Sequence, residues 1–249
     1  MITDSLKNLE SKLSSLSELK IIWLMGQYRE KSSNIDLLLG FSHGEKNLFL
    51  KKVIDILEIF FIGQFHLCDD AIIVSLVDGL KGGIAVCSLH ALEQSLLSWN
   101  SGINLEGEHR VWATVLWLPE ALCGDLATAK VLYDPYEINQ SFQTYVTPYP
   151  ESLRSSLIKI CEEEIKIKIS TIDASNLDYF DNVLKIRDII IALIRLSFAK
   201  SKIYFRGFKN IEEQSQKLDL QSSYFYSLAQ GLSSQYDVEQ TIKKVSQIV

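Results

Sequence analysis

The sequence predicts an α+β protein, in which a mixed sheet flanked by helices is followed by a helical bundle. Two short apolar runs, Ile21–Met25 and Ile35–Leu39, are separated by a polar stretch that begins at Gly26. This pattern is typical of two buried strands joined by a loop. Beyond Pro150 the chain contains no proline, and apolar residues recur there at helical spacing. The two patterns together predict two regions of different architecture.

Composition is that of an ordinary globular protein. Hydrophobic residues make up 47% and charged residues 22%, which is enough apolar material for a sizeable core. No apolar run reaches the roughly eighteen residues that a membrane-spanning helix needs. The N-terminus is amphipathic and mixed in charge, unlike a secretory signal. The net charge of −6 argues against a broad nucleic-acid-binding face.

The four cysteines, Cys68, Cys87, Cys123 and Cys161, lie far apart and show no CxxC spacing. Their mostly apolar surroundings favour buried free thiols over a metal or disulfide role. We therefore expect the protein to work in a reducing cytoplasm.

The first elements follow from residue spacing. Thr3 or Asp4 can cap a first helix. Its apolar stripe is predicted to contain Leu6, Leu9, Leu13, Leu16 and Leu19. A second helical stripe covers Glu45–Phe61, after the two strands predicted from the apolar runs. Three further strands are predicted at Gly63–Leu67, Ala71–Val77 and Gly83–Leu89. A glycine-rich turn between the last two indicates a hairpin.

The next stretch is less regular. It is predicted to contain a helix at Ala91–Trp99, an apolar element at Arg110–Leu118, a short helix at Leu122–Ala129 and a strand at Lys130–Tyr133. The prolines of Thr147–Pro150 then interrupt regular structure. We place the domain boundary there, with residues 1–147 in the first domain and 148–249 in the second.

The second domain has only helical patterns. They cover Ser152–Ser170, Leu177–Phe205, Ile211–Leu218, Tyr224–Gly231 and Asp237–Val249. A bundle of four or five helices is the natural arrangement for such a set.

Residues 21–40 resemble the signature of the DNA polymerase beta-type nucleotidyltransferase superfamily. In that superfamily a strand ends in Gly-Ser, and the next strand carries Asp-x-Asp. Here Gly26 is followed by Gln27, and Asp-x-Asp has become Asn34-Ile35-Asp36. Leu132-Tyr133-Asp134 is similar to a strand that closes the catalytic domain in the antibiotic (aminoglycoside or lincosamide) nucleotidyltransferase branch. The resemblance implies a nucleotidyltransferase-like sheet domain followed by a helical bundle.

The resemblance also implies a two-metal site. Its members hold two Mg²⁺ ions with the Asp-x-Asp pair and a third acid on a neighbouring strand. Here Asn34 supplies no charge, and the third acid is expected at about Gly83 or Ile84, neither of which can ligate through its side chain. Asp36 is the one retained acid. Asp78, near the hairpin, is a candidate substitute, although a turn residue before Gly79 is its simpler interpretation.

The phosphate-binding turn is altered as well. Gln27 stands where the superfamily has serine, while Arg29 and Lys31 add positive charge to the same turn. They could hold a phosphate without a metal ion, or they could be solvated loop charges. The candidate ligand-binding residues are Gly26, Gln27, Arg29, Lys31 and Asn34.

Two functions follow from these motifs. In the first, the chain is a catalytically degenerate, pseudoenzyme-like module that binds a ligand or partner and needs no cofactor. In the second, it is an active Mg²⁺-dependent enzyme that transfers a nucleotide from a nucleoside triphosphate to a hydroxyl of a small molecule, such as an antibiotic. The missing carboxylates favour the first. A small-molecule or nucleotide ligand, a protein partner and a homodimer all stay open.

Overall fold

The computed structural model describes residues 2–25, 34–42, 44–60, 63–68, 71–76, 81–103, 118–172, 180–208, 211–233 and 238–247. The chain divides into two compact units. Met1–Ser98 and Gly107–Pro148 form the first, and Trp99–Glu106 joins Tyr149–Val249 in the second. Sequence patterning does not indicate that Trp99–Glu106 groups with the later helices. The assignment of domains to residues 1–147 and 148–249 stays a prediction.

The first unit is built on a mixed sheet, so the predicted α+β fold class is confirmed. Its strands are β1 (Leu19–Met25), β2 (Asn34–Phe41), β3 (Gly63–Cys68), β4 (Ala71–Leu76), β5 (Lys81–Ser88) and β6 (Lys130–Tyr133). The order across the sheet is β3-β4-β5-β2-β1-β6. β2 and β5 are parallel, and all the other neighbours are antiparallel. The hairpin predicted between β4 and β5 is therefore confirmed.

One face of the sheet carries the main core. Alternate residues of a strand share a face, and Ile35, Leu37 and Leu39 of β2 all lie in the core cluster. Ile84 and Val86 of β5 belong to the same cluster. Leucines of α1 (Ile2–Leu13) and apolar residues of α2 (Lys46–Phe60) complete it. The core face therefore takes the odd-numbered residues of β2 and leaves the even-numbered ones for the opposite face.

The opposite face is covered next to β1 by α4 (Pro119–Thr128) and α5 (Ile138–Val146). The Trp23 ring meets the Phe142 ring edge-on at 5.5 Å between centroids. The Trp23 Nε1–H donates a 2.8 Å hydrogen bond to Asn139 Oδ1. A buried indole needs such a polar partner, so α5 is fixed to β1 by one apolar and one polar contact.

The helices of the first unit differ from their predictions in two places. Helix α1 ends at Leu13; Leu16 lies in the connection that follows, and Leu19 begins β1, so placing both on the helical stripe was wrong. Their three-residue spacing matches a helix. However, Leu16 packs against the core from the connection, and Leu19 is buried as the first residue of β1. Helix α5 was not predicted at all. The predicted short helix and the helix after β5 exist as α4 and α3 (Leu89–Asn100).

The second unit is helical, as expected. It contains α6 (Glu151–Ser170), α7 (Phe180–Lys200), α8 (Ile211–Ser215), α9 (Leu220–Ser233) and α10 (Val238–Ser246). Long helices α6 and α7 pack on each other and α9 packs on α7. Lys168 Nζ on α6 lies 2.7 Å from Asp188 Oδ2 on α7, which ties the two helices together.

The three cysteines whose side chains are described are buried, as predicted. Cys87, Cys123 and Cys161 are buried thiols. Burial raises the pKa of the Cys87 and Cys123 thiols, which makes them poor nucleophiles. Cys68 lies in β3, and its side chain is outside the described part of the chain. Within the described ranges, no helix is long and apolar enough to cross a membrane.

Candidate functional site

The candidate site lies at the end of the sheet where β1 finishes and β2 and β5 begin. Asp36 on β2 pairs with Met25 on β1 and with Gly83 on β5. Two residues earlier on β2, Asn34 pairs with Lys81, the first residue of β5. Because strand residues two apart share a face, positions 34, 36, 81 and 83 belong to the face opposite the core. We call these four positions the register site.

Asp36 is exposed, while its neighbours Ile35 and Leu37 are almost fully buried. Although Asp36 interrupts an apolar run, its side chain is not buried. The physical reason is the strand's alternation, which puts the two apolar neighbours on the core face and Asp36 on the other. Further along that face Leu38 is fully buried. Asp36 therefore marks the place where the covered part of the face gives way to solvent.

The two glycines at the start of β5 differ in how closely they approach β2. A β-carbon built on Gly82 would lie 1.6 Å from the Ile35 carbonyl oxygen, which no side chain can tolerate. A β-carbon on Gly83 would have the Asp36 Oδ1 atom at 3.5 Å, an ordinary contact. Gly82 is thus required by the tight pairing of the two strands. Gly83 is not, and its place beside Asp36 has room for a side chain.

The register site does not fit a two-metal centre. The resemblance requires carboxylates at positions 34 and 36 and one on the neighbouring strand, and the neighbour in register with Asp36 is glycine. Hard divalent cations need several oxygen ligands, and carboxylates supply most of the charge that holds them. Among the described residues, no group of three or more His, Cys, Asp or Glu is close enough to hold a metal ion. The described residues of the register site therefore lack the set of carboxylate ligands that a two-metal centre needs.

Several predicted site residues lie outside the described residues. They are Gly26, Gln27, Arg29, Lys31 and Asp78. Asn34 is described as the first residue of β2, with a backbone position but no side-chain environment. The predicted ligand-binding roles of these residues and the predicted metal role of Asp78 stay predictions.

Lys81 is the member of the register site that sequence reasoning missed. In the sequence it belongs to the polar turn between two strands, where a lysine is unremarkable. Its pairing with Asn34 depends on the parallel contact of β2 with β5, two strands separated by a helix and a hairpin. No local sequence pattern predicts a pairing between strands that are this far apart in the chain.

Asp134, from the motif that resembles the antibiotic-modifying branch, is held by local structure. Its Oδ1 accepts a 2.8 Å hydrogen bond from the Ile138 N–H, and its Oδ2 accepts one of 2.8 Å from the Asn139 N–H. These are among the N–H groups that the first turn of α5 leaves without helical partners. The carboxylate therefore stabilises the first turn of α5. Helix α5 in turn places the Asn139 side chain within hydrogen-bond distance of Trp23.

Comparisons with known proteins find matches among solved structures. Among solved structures, the chain is similar to the crystal structure of a nucleotidyltransferase-like protein from Exiguobacterium sibiricum 255-15, with a TM-score of 0.47 and 12% sequence identity. The similarity covers 96% of this chain and 70% of that chain. No protein-family model and no curated protein matches the sequence. At this level of similarity the relative does not identify an activity.

Proposed function

We propose that the chain is a nucleotidyltransferase-like protein without two-metal catalysis, which binds an anionic ligand, such as a nucleotide, independently of divalent cations. The observation that carries this proposal is the composition of the register site. It holds one acid, Asp36, and one base, Lys81, together with a neutral asparagine and a glycine.

The charge of these positions favours the first of the two candidate functions. Three carboxylates and a triphosphate repel each other, and two cations are indispensable to bring them together. Among the four positions, Asp36 and Lys81 carry opposite formal charges, so the set has no formal net negative charge. Asp36 alone offers a divalent cation one carboxylate, which is too little to hold it against water. The site tolerates an anion without attracting a metal ion first.

The exposure of Asp36 leaves this end of the sheet accessible to a ligand. Its side chain is exposed on the face opposite the core. Gly83 beside it adds no bulk, so ligand atoms could approach the strand backbone there.

The test is a calorimetric titration of the purified protein with ATP, GTP, CTP and UTP, each in Mg²⁺ and in EDTA. We expect the dissociation constant of any triphosphate that binds to differ by less than about threefold between the two conditions. Asp36→Asn should not weaken binding, because it removes only repulsion. A rise in affinity of about tenfold or more with Mg²⁺, lost in Asp36→Asn, would favour the active enzyme instead.

A further inference from the structure

We propose that the first half of helix α7 is a self-association surface, on which α7 of a second copy of this chain packs in antiparallel orientation about a two-fold axis. We call residues 180–191 the α7 seam. The seam lies in the second unit, and the register site lies in the first. The inference is therefore independent of the proposed function.

Burial changes along the length of α7. In its second half, every residue from 192 to 199 is buried. In its first half, seven of the twelve residues of the seam are large and apolar. Of these seven, only Ile189 is buried. A helix that is apolar on most of its sides is normally enclosed by other elements, so the seam leaves apolar surface open that a partner can cover.

The open surface forms a stripe along the helix. Phe180 is 73% exposed and Val183 is 48% exposed. Residues three and four apart on a helix share a face, so the same stripe continues through Arg187 to Ile190. The spacing 180, 183, 187 and 190 is that of the contact positions in a pair of coiled helices. The stripe therefore has the pattern of a helix that packs against another helix.

Helix α6 packs on a different side of α7. Lys168 of α6 contacts Asp188, and the Lys185 ammonium donates a 2.8 Å hydrogen bond to the Thr171 carbonyl oxygen. Position 188 is about 100° around the helix from Arg187, and position 185 is about 200° from Val183. The contacts with α6 therefore fix α7 in the second unit without covering the stripe.

The charge on the stripe selects the orientation of the second copy. A two-fold axis brings the same patch of both copies together. Parallel helices would set Arg187 directly against Arg187 of the second copy, and like charges repel. Antiparallel helices centred on position 185 set Arg187 opposite Val183, and Phe180 opposite Ile190. The two arginines are then separated by four residues, or about 6 Å along the axis, and apolar side chains meet.

The area of the stripe sets the expected strength of association. The Arg187 side chain is 64% exposed. Together with the exposed parts of Phe180, Val183 and their half-buried neighbours, it offers on the order of 500 Å² per copy. A specific interface needs at least about 1,000 Å² in total. The seam reaches this lower limit, so we expect a reversible dimer with a dissociation constant of about 10–100 μM.

Sedimentation velocity of the full chain, at concentrations from about 1 to about 200 μM, measures this dissociation constant. We expect Phe180→Ser to raise it at least about tenfold, because the largest exposed apolar side chain of the stripe is lost. The matched control is Leu220→Ser. Leu220 is 95% exposed at the start of α9, in the same unit but outside the seam. This variant should stay within about threefold of the unaltered chain.

Two substitutions at one position test the antiparallel arrangement. In that arrangement position 183 lies opposite Arg187 of the second copy. We expect Val183→Glu to keep the dissociation constant within about threefold, because the carboxylate meets a guanidinium. Val183→Lys should raise it at least about tenfold, because two cations meet. In a parallel pair position 183 would face itself, and both variants would weaken association equally.

Circular dichroism establishes that each variant is folded, and a difference between the two Val183 variants cannot come from the loss of valine. An unaltered chain that stays monomeric at about 200 μM would overturn the inference. Equal dissociation constants for Phe180→Ser and the unaltered chain would overturn it as well, since association would then use another surface. Equal weakening by Val183→Glu and Val183→Lys would overturn the antiparallel arrangement.

Discussion

Gly82 and Gly83 are neighbours in sequence, but they carry different physical constraints. The first leaves no space for a side chain, because its strand pairs tightly with β2 at Ile35. The second faces only the Asp36 carboxylate at an ordinary contact distance. A pair of glycines in a sequence suggests a flexible turn. Here Gly82 is required by the close packing of two strands, whereas Gly83 only leaves space beside Asp36.

We expect Gly82→Ala to destabilise the protein by several kcal/mol, because the clash is with backbone and the strand must move. Gly83→Ala should change the free energy of unfolding by less than about 1 kcal/mol, since its new methyl group meets only ordinary contacts. Urea unfolding of the two variants measures the difference. Equal losses of stability in both would show that the close approach of β5 to Ile35 is not a real constraint.

The residues of the register site could be predicted from sequence only in part. Asp36 and Asn34 stand out because an acid and its altered partner interrupt an apolar strand. The exposure of Asp36 follows from alternation along β2, but it needs knowledge of which face the core takes. The pairing of Lys81 with Asn34 could not be predicted, because the two strands are remote in sequence.

At the scale of elements, α5 depends on a capping carboxylate. Asp134 accepts hydrogen bonds from the N–H groups of Ile138 and Asn139. Helix α5 then supplies the Phe142 ring and the Asn139 amide that fix Trp23. The Asp134 carboxylate thereby connects the end of β6 to α5, the helix that packs on β1.

Asp134→Ala should lower the free energy of unfolding by about 1 kcal/mol, the value typical for removing a side chain that accepts hydrogen bonds from the first N–H groups of a helix. The control is Asp55→Ala, because Asp55 is exposed in the middle of α2 and alanine favours helix there. Chemical denaturation of both variants gives the comparison. A loss for Asp134→Ala no larger than that of the control would mean that the two hydrogen bonds contribute nothing to the start of α5.

Sequence reasoning missed α5 for an identifiable reason. Asp134-Pro135 looks like the end of a strand followed by a turn, and the stretch after it is polar. Glu137 has a left-handed backbone, with a φ of 56°, which no sequence pattern signals for a glutamate. The capping signal was present in Asp134, but it lies four residues before the first helical residue that it bonds.

At the scale of the whole molecule, the sequence predicts most of the helices and strands, but it does not predict which strands pair in the sheet. Alternating and continuous apolar runs predict the strands, and helical spacing predicts the second unit, because both are local consequences of burial. The parallel pairing of β2 with β5 joins strands separated by α2, β3 and β4. Likewise, Trp99–Glu106 belongs with the second unit although it precedes the predicted boundary by some forty residues. Contacts of this kind follow from topology, not from local propensity.

The proposed function requires that the register site carry too little negative charge to hold a divalent cation. Titration with Mn²⁺, followed by electron paramagnetic resonance, tests it directly on the unaltered chain and on an Asn34→Asp, Gly83→Asp double variant. Position 83 has room for the new side chain. We expect the unaltered chain to bind Mn²⁺ no more tightly than about 1 mM, and the variant at least about tenfold more tightly. Binding by the unaltered chain at about 100 μM or tighter, abolished by Asp36→Asn, would contradict the account.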